Sequence, residues 1–332
     1  GLGNDTIDGA GGANAVSYDN SRNGVSVNLT TGLAQDGFGT VDTLRNIESI
    51  IGSDFDDTLV GGDPVHGTRT TDGLETFEGG AGNDLIDGGA GYDRVEYTHS
   101  AEGVAVTLGG FGIGFAQDGL GGFDTLININ AVRASSFDDT LSGSSDLIYE
   151  SFDGREGDDY IDGGAITDIY NNTNQNRADY YKSTSAVTVN LADGTATGGL
   201  GNDTLVNINT VRGSSFSDVL TGSSTQVFED FEGGRGDDTI DGGLVTDTNR
   251  EANRNSVRYQ RASSAVVVDL SLGTATGGDG NDTLINIQGI RGSNYSDVLT
   301  GSTTTVSEFY EGGAGNDTIN GNGGYDFAVY RS

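Results

Sequence analysis

Cysteine, methionine and tryptophan are absent from this 332-residue chain, and proline occurs once, at Pro64. Without cysteine there is no disulfide framework. Lysine also occurs once, at Lys182, with fifteen arginines scattered along the chain. A phosphate-binding surface needs clustered Lys and Arg, so nucleic acid and anionic membrane surfaces are not expected partners. No run of about 18 apolar residues is present, and nothing reads as a transmembrane segment. Helix is also missing, because no 3.6-residue apolar period is sustained and glycine interrupts everywhere. No signal peptide opens the chain. It begins and ends mid-motif, at GLGNDTIDGAGG and GNGGYDFAVYRS, which reads as a segment of a longer repeat protein.

What the chain has is glycine and acid. There are 57 glycines, and fifty Asp and Glu face sixteen Lys and Arg, for a net charge of −34. Low hydrophobicity with high net charge is the composition of disorder. Regularly spaced Ile, Leu, Val, Phe and Tyr nevertheless supply a core, one thin layer at a time. A folded chain this acidic needs something to neutralise its carboxylates, and divalent cations do so most simply.

The layers follow a long period. The Asp that follows each G-x-G-[ND] falls at Asp5, Asp84, Asp159, Asp238 and Asp317, separated by 79, 75, 79 and 79 residues. This gives four units (1–80, 81–155, 156–234 and 235–313) and the start of a fifth (314–332), expected to form one continuous solenoid. Each unit repeats four phrases: a glycine turn with NDTIDG or its like, a Tyr-to-Leu phrase such as YQRASSAVVVDL (259–270), D-T-L-x-N-I, and a serine-rich turn such as GSSFSDVL (213–220). Alternating valines in the second phrase mark a strand with one buried face. An aromatic-acid-Gly phrase closes each unit, and Phe77, Phe152, Phe231 and Tyr310 are expected as stacked core aromatics. Polar excess residues at 165–179 and 244–258, and a stretch holding Pro64 and His66, read as surface loops.

The least altered stretch is Gly79–Tyr97, GGAGNDLIDGGAGYDRVEY, which holds two consecutive nine-residue units of the pattern G-G-x-G-x-D-x-U-x. This resembles the calcium-binding nonapeptide of the RTX (hemolysin-type repeat) family. The resemblance implies an all-β parallel β-roll or β-helix solenoid. It further implies calcium-dependent folding, type I secretion from a Gram-negative bacterium, and an extracellular or cell-surface location.

Glycine lets the turn backbone aim consecutive carbonyls into a concavity, and the terminal Asp adds a charged oxygen. Calcium takes 6–8 oxygen ligands, so one turn and its stacked neighbour share an ion. The expected metal residues are Gly80, Gly82 and Asp84; Gly89, Gly91 and Asp93; Gly157 and Asp159, with Arg155 replacing one glycine; and Gly199, Gly201 and Asp203. Gly234, Gly236 and Asp238, then Gly278, Gly280 and Asp282, then Gly313, Gly315 and Asp317 continue the series, with Asp5 and Asp326 in shortened terminal turns. Asp42, Asp57, Asp124, Asp139, Asp218 and Asp297 lie in turns lacking the double Gly-x-Gly. They either bind calcium or hydrogen-bond the amides of their own turns.

Catalysis is not expected. Tyr180, Tyr181, Lys182 and Arg177 are the best local candidates for proton transfer beside a uronate, but no break in the repeat builds a unique pocket around them. The expected role is a structural or adhesive surface segment, self-associating through calcium. The alternative is an accessory calcium-binding module of a secreted enzyme or toxin that grips polysaccharide.

Overall fold

A computed structural model describes residues 1–62, 74–166, 174–224, 227–244 and 254–330. Pro64, His66 and the middle of the two Asn-rich stretches lie outside the described residues. Two compact units, Gly1–Ala165 and Ile166–Ser332, are described separately. All regular structure among the described residues is strand, mostly three residues long.

Three-residue strands follow from the repeat, because glycine turns leave room for one inward-pointing side chain between two outward ones. In the first unit, Thr76–Glu78, Leu85–Asp87 and Arg94–Glu96 are separated by the turns 79–84 and 88–93. The chain thus passes alternately through two sheets. Phe77 stacks on Ile50 on one side and on Val95 on the other, in parallel register. In the opposite sheet Ile86 stacks on Leu59 and Leu126. Ile50, Phe77, Val95, Leu59 and Ile86 are fully buried. The second unit repeats the design, with Val211, Phe231, Val257, Ile290 and Tyr310 in one row. Leu220 and Ile240 face them from the other sheet. The expected all-β roll with stacked Phe77, Phe152, Phe231 and Tyr310 is therefore present.

The roll is not purely parallel. The Tyr-to-Leu phrase does not continue directly into D-T-L-x-N-I as another coil. Strands Ala105–Thr107, Ile113–Gln117 and Phe123–Ile127 form an antiparallel meander. Its two outer members join parallel neighbours in adjacent coils, Thr140–Ser142 and Leu85–Asp87. Strands 26–28, 33–35 and 41–45 do the same, as do 187–190, 195–198 and 201–206, and 266–269, 274–277 and 280–285. Each meander ends at the Asn of D-T-L-x-N-I. Asn46, Asn128, Asn207 and Asn286 take φ of 53–54°, the left-handed conformation that Asn tolerates better than other non-glycine residues.

The stretches expected as loops 165–179 and 244–258 end in strands. Gln175–Asp179 and Asn255–Arg258 belong to the second sheet, and Ala178 and Val257 are fully buried. Polarity misled here: in Q-N-R-A-D and N-S-V-R only one residue needs to be apolar to fill a coil this thin.

Candidate calcium sites

In each compact unit a row of turns leads from the second sheet, that of the buried aromatics Phe77 and Phe231, to the first, that of Ile86 and Ile240, and its members come in pairs. A serine-rich turn lies beneath each glycine turn: 52–57 beneath 79–84, 134–139 beneath 154–159, 213–218 beneath 233–238, and 292–297 beneath 312–317.

The serine-turn aspartates are fully engaged. Asp218 accepts the Ser214 amide at 2.6 Å, the Ser214 hydroxyl at 2.7 Å and the Val187 amide at 2.8 Å. Asp57, Asp139 and Asp297 repeat this with Ser53 and Val25, Ser135 and Val104, and Ser293 and Val266. Of the two readings open for these residues, the structure displays the turn-closing one. The serine hydroxyl and two amides surround each carboxylate with donors.

The glycine-turn aspartates are differently placed. Asp84 accepts the Asp57 amide through Oδ1 at 2.8 Å, and Asp238 accepts the Asp218 amide at 2.8 Å. Asp159 and Asp317 take the amides of Asp139 and Asp297 in the same way. The other oxygen, Oδ2, is buried and accepts no hydrogen bond in Asp84 and Asp238. Asp93, in the second row of turns, shares this feature: Oδ1 takes the Glu75 amide and the buried Oδ2 takes nothing. A buried carboxylate oxygen without a donor costs on the order of 1–3 kcal/mol, and more when charged.

Calcium fits these positions. The Oδ2 atoms of Asp84 and Asp238 fold back over Gly79 and Gly233, where a Cβ would overlap them. Gly80, at φ +95°, and Gly234, at φ +101°, sit directly on the carbonyls of Ser53 and Ser214 in the turn beneath. Gly82 and Gly236, at φ +127° and +122°, keep the same row open to backbone. Among the described residues no three Asp, Glu or His side chains converge on one point. A donor set here therefore consists of one carboxylate with stacked carbonyls, and such all-oxygen sets suit calcium. Asp84, Asp93 and Asp238 would supply the charged oxygen. Asp159, Asp317 and Asp326 hold equivalent turn positions, and Arg155 takes φ +68° where the repeat calls for glycine. Asp5 accompanies them at the first turn, where its amide reaches Asp42.

The remaining candidates fall elsewhere. Gly199, Gly201, Gly278 and Gly280 are at the reversals of antiparallel hairpins, where Gly198 pairs with Gly201 and Gly277 with Gly280. Their aspartates, with Asp42 and Asp124, form one set. Each Oδ2 receives a tyrosine hydroxyl: Tyr18 to Asp42, Tyr97 to Asp124, Tyr180 to Asp203 and Tyr259 to Asp282. Asp124 and Asp282 also receive the amides of Asp84 and Asp238 through Oδ1. The Tyr that opens the second phrase and the Asp of D-T-L-x-N-I are thus one buried clasp. The available signal was their recurrence once per unit, 23 to 27 residues apart.

Burial pushes Asp84 and Asp238 up to about 8, reinforced by the neighbouring carboxylates Asp124 and Asp282 and opposed by the amides they accept. Burial likewise raises Asp93 to about 7, with Glu75 adding to it. A folded-state value above the ordinary 3.8 means the calcium-free fold holds extra protons between 3.8 and about 8, so it loses stability as pH rises through that window. Calcium must displace those protons. Raising the pH from 6 to 8 is therefore expected to lower the calcium concentration at half-saturation, by up to about tenfold per pH unit for each proton displaced. A calcium titration repeated at three pH values checks this, and a midpoint that does not move would contradict it.

The family model described as the RTX calcium-binding nonapeptide repeat (4 copies) matches residues 1–21, 46–63, 69–96, 151–169, 229–248, 274–285 and 307–328. No curated protein matches the chain. RTX repeats are typical of secreted Gram-negative bacterial proteins, and no helix among the described residues is long and apolar enough to cross a membrane. The matched stretches take in the glycine turns around Asp84, Asp93, Asp159, Asp238 and Asp317, and the chain carries RTX calcium-binding nonapeptide repeats, which take several Ca²⁺ ions.

Proposed function

We propose that this chain is a calcium-dependent folding segment of a secreted protein, with a structural or adhesive role at the cell surface. The observation that carries it is the recurrence of buried, donor-less carboxylate oxygens at Asp84, Asp93 and Asp238. Such positions are tolerable outside the cell, where calcium is plentiful, and keep the chain unfolded where calcium is scarce.

Self-association is supported by the meander of the first unit. Phe111, Ile113, Phe115 and Phe123 are 58–78% exposed. An exposed apolar cluster of this kind offers a contact surface, and on a chain of charge −34 calcium lowers the repulsion between copies. A non-catalytic role is supported by the fate of the residues suited to proton transfer. The Tyr180 hydroxyl is buried against Asp203, and the Tyr181 ring packs against Arg212 and Lys182.

Light scattering of the chain during calcium addition tests the reading. Association should rise with calcium and reverse with chelator. A chain that folds with calcium, stays monomeric and binds polysaccharide on a glycan array would instead be an accessory module of a secreted enzyme or toxin.

A further inference from the structure

The second row of turns, which leads from the first sheet back to the second, holds a glutamate that lies outside the nonapeptide. It recurs once per unit as Glu75, Glu150, Glu229 and Glu308. Glu150, Glu229 and Glu308 are 0–2% exposed. Glu229 faces the Ser223 amide with both oxygens, at 3.0 Å each. Glu150 does the same to Ser144, Glu308 to Ser302, and Glu75 to Gly62. Among the described residues no Lys or Arg forms an ion pair with Glu150, Glu229 or Glu308. The outward acids of the same sheet contrast with them: Glu232 and Glu311 meet Arg212 and Arg291.

Each glutamate shares its location with a carbonyl of the next coil. A Cβ on Gly222 would overlap both Glu229 Oε2 and the Gly242 carbonyl oxygen. The same holds for Gly143 with Glu150 and Gly163, and for Gly61 with Glu75 and Gly88. At Gly301 the Glu308 carboxylate and the Gly321 carbonyl are joined by the Tyr310 hydroxyl, which donates to Glu308 Oε2. Glycine thus keeps a carboxylate and a carbonyl oxygen facing one small space in every unit, with a tyrosine hydroxyl added in the last.

A third oxygen points to what fills that space. Glu229 and Asn255 are register partners on neighbouring parallel strands, so their side chains stack on the same face. Asn255 is fully buried; its Nδ2 donates to the Gly242 carbonyl, and its Oδ1 accepts nothing. In the first unit the equivalent place is held by Asp93, fully buried, with its own donor-less Oδ2. In the last coil it is held by Asp326, which accepts the Glu308 amide.

We propose that Glu75, Glu150, Glu229 and Glu308 are calcium ligands of a second kind of site, one per unit, each combining the glutamate with the glycine carbonyl of the next coil. At Glu229 the Asn255 side-chain oxygen completes the set, and at Glu75 and Glu308 the glutamate shares its ion with the nonapeptide aspartates Asp93 and Asp326. A buried carboxylate, a carbonyl and an amide oxygen form a hard-oxygen donor set. This rests on the calcium reading of the chain and adds ligands that the nonapeptide does not contain.

Glu229→Gln tests it, because glutamine keeps an oxygen that can accept the Ser223 amide while removing the charge. Bound calcium is counted by elemental mass spectrometry on the full chain after buffer exchange, with circular dichroism to verify folding. Glu229→Gln should carry one ion fewer, and the Glu150→Gln, Glu229→Gln, Glu308→Gln triple variant three fewer. Asp84→Asn serves as the separate reporter of the nonapeptide turns. An unchanged count in a folded Glu229→Gln chain overturns the proposal while leaving the nonapeptide sites standing. A second measurement needs no variant: terbium-soaked crystals of the unaltered chain should show an anomalous peak between Glu229, Gly242 and Asn255. Peaks at turn 79–84 without one there overturn the glutamate site alone, and no peak at either overturns both.

Discussion

Asp218→Ala is expected to destabilise the fold by on the order of 3 kcal/mol even at saturating calcium, with the number of bound ions unchanged. The carboxylate closes the turn by accepting two amides and one hydroxyl, all buried. Each donor left unsatisfied costs about 1–3 kcal/mol. Part of that is offset because burial raises Asp218, so removing the carboxylate also removes a desolvation penalty. Urea unfolding in excess calcium reads the stability, and elemental analysis reads the ion count. Asp238→Asn, in the glycine turn above, should show the opposite pattern. It takes away a charged oxygen that has no donor, so calcium affinity falls while the calcium-free chain is not weakened. A folded Asp218→Ala chain that has lost an ion would mark Asp218 as a ligand and contradict this division of labour.

The division was only partly legible in the residues. The period of 79, 75, 79 and 79, the thin core and the nonapeptide turns could be read from glycine and Asp spacing, because strand length and turn geometry here are local properties. The stacked positions of Phe77, Phe152, Phe231 and Tyr310 followed from the same spacing. The hairpins did not. In G-T-A-T-G-G-x-G-N-D the double glycine looks like a calcium turn, and the reversal between Gly198 and Gly201 depends on pairing with Val187–Asn190. Nor did the clasp between Tyr259 and Asp282, 23 residues apart. The glutamates escaped because their loops differ in length, six residues from Ser223 to Glu229 and thirteen from Gly62 to Glu75. A signal was present: ETFEGG, ESFDGR, EDFEGG and EFYEGG place Glu two residues before the buried aromatic in every unit.

Calcium removal is expected to have the largest effect of all, the loss of the fold. Strands of three residues give a core only one side chain deep per coil, and conformational entropy costs about 1–2 kcal/mol per residue. Against that, the calcium-free fold has to keep Asp84, Asp93 and Asp238 buried beside other carboxylates. It also has to contain a net charge of −34. Protonation relieves part of this burden at low pH, so calcium dependence should be sharpest at pH 8. Binding free energy then becomes folding free energy, and several ions must act together because each turn is completed by its neighbour. The most direct measurement is far-ultraviolet circular dichroism of the chain at pH 8 across a calcium titration begun in excess chelator. A disordered spectrum in chelator that converts cooperatively to a β spectrum, and reverts when chelator is restored, is the predicted result. A β spectrum already complete in chelator would contradict the account.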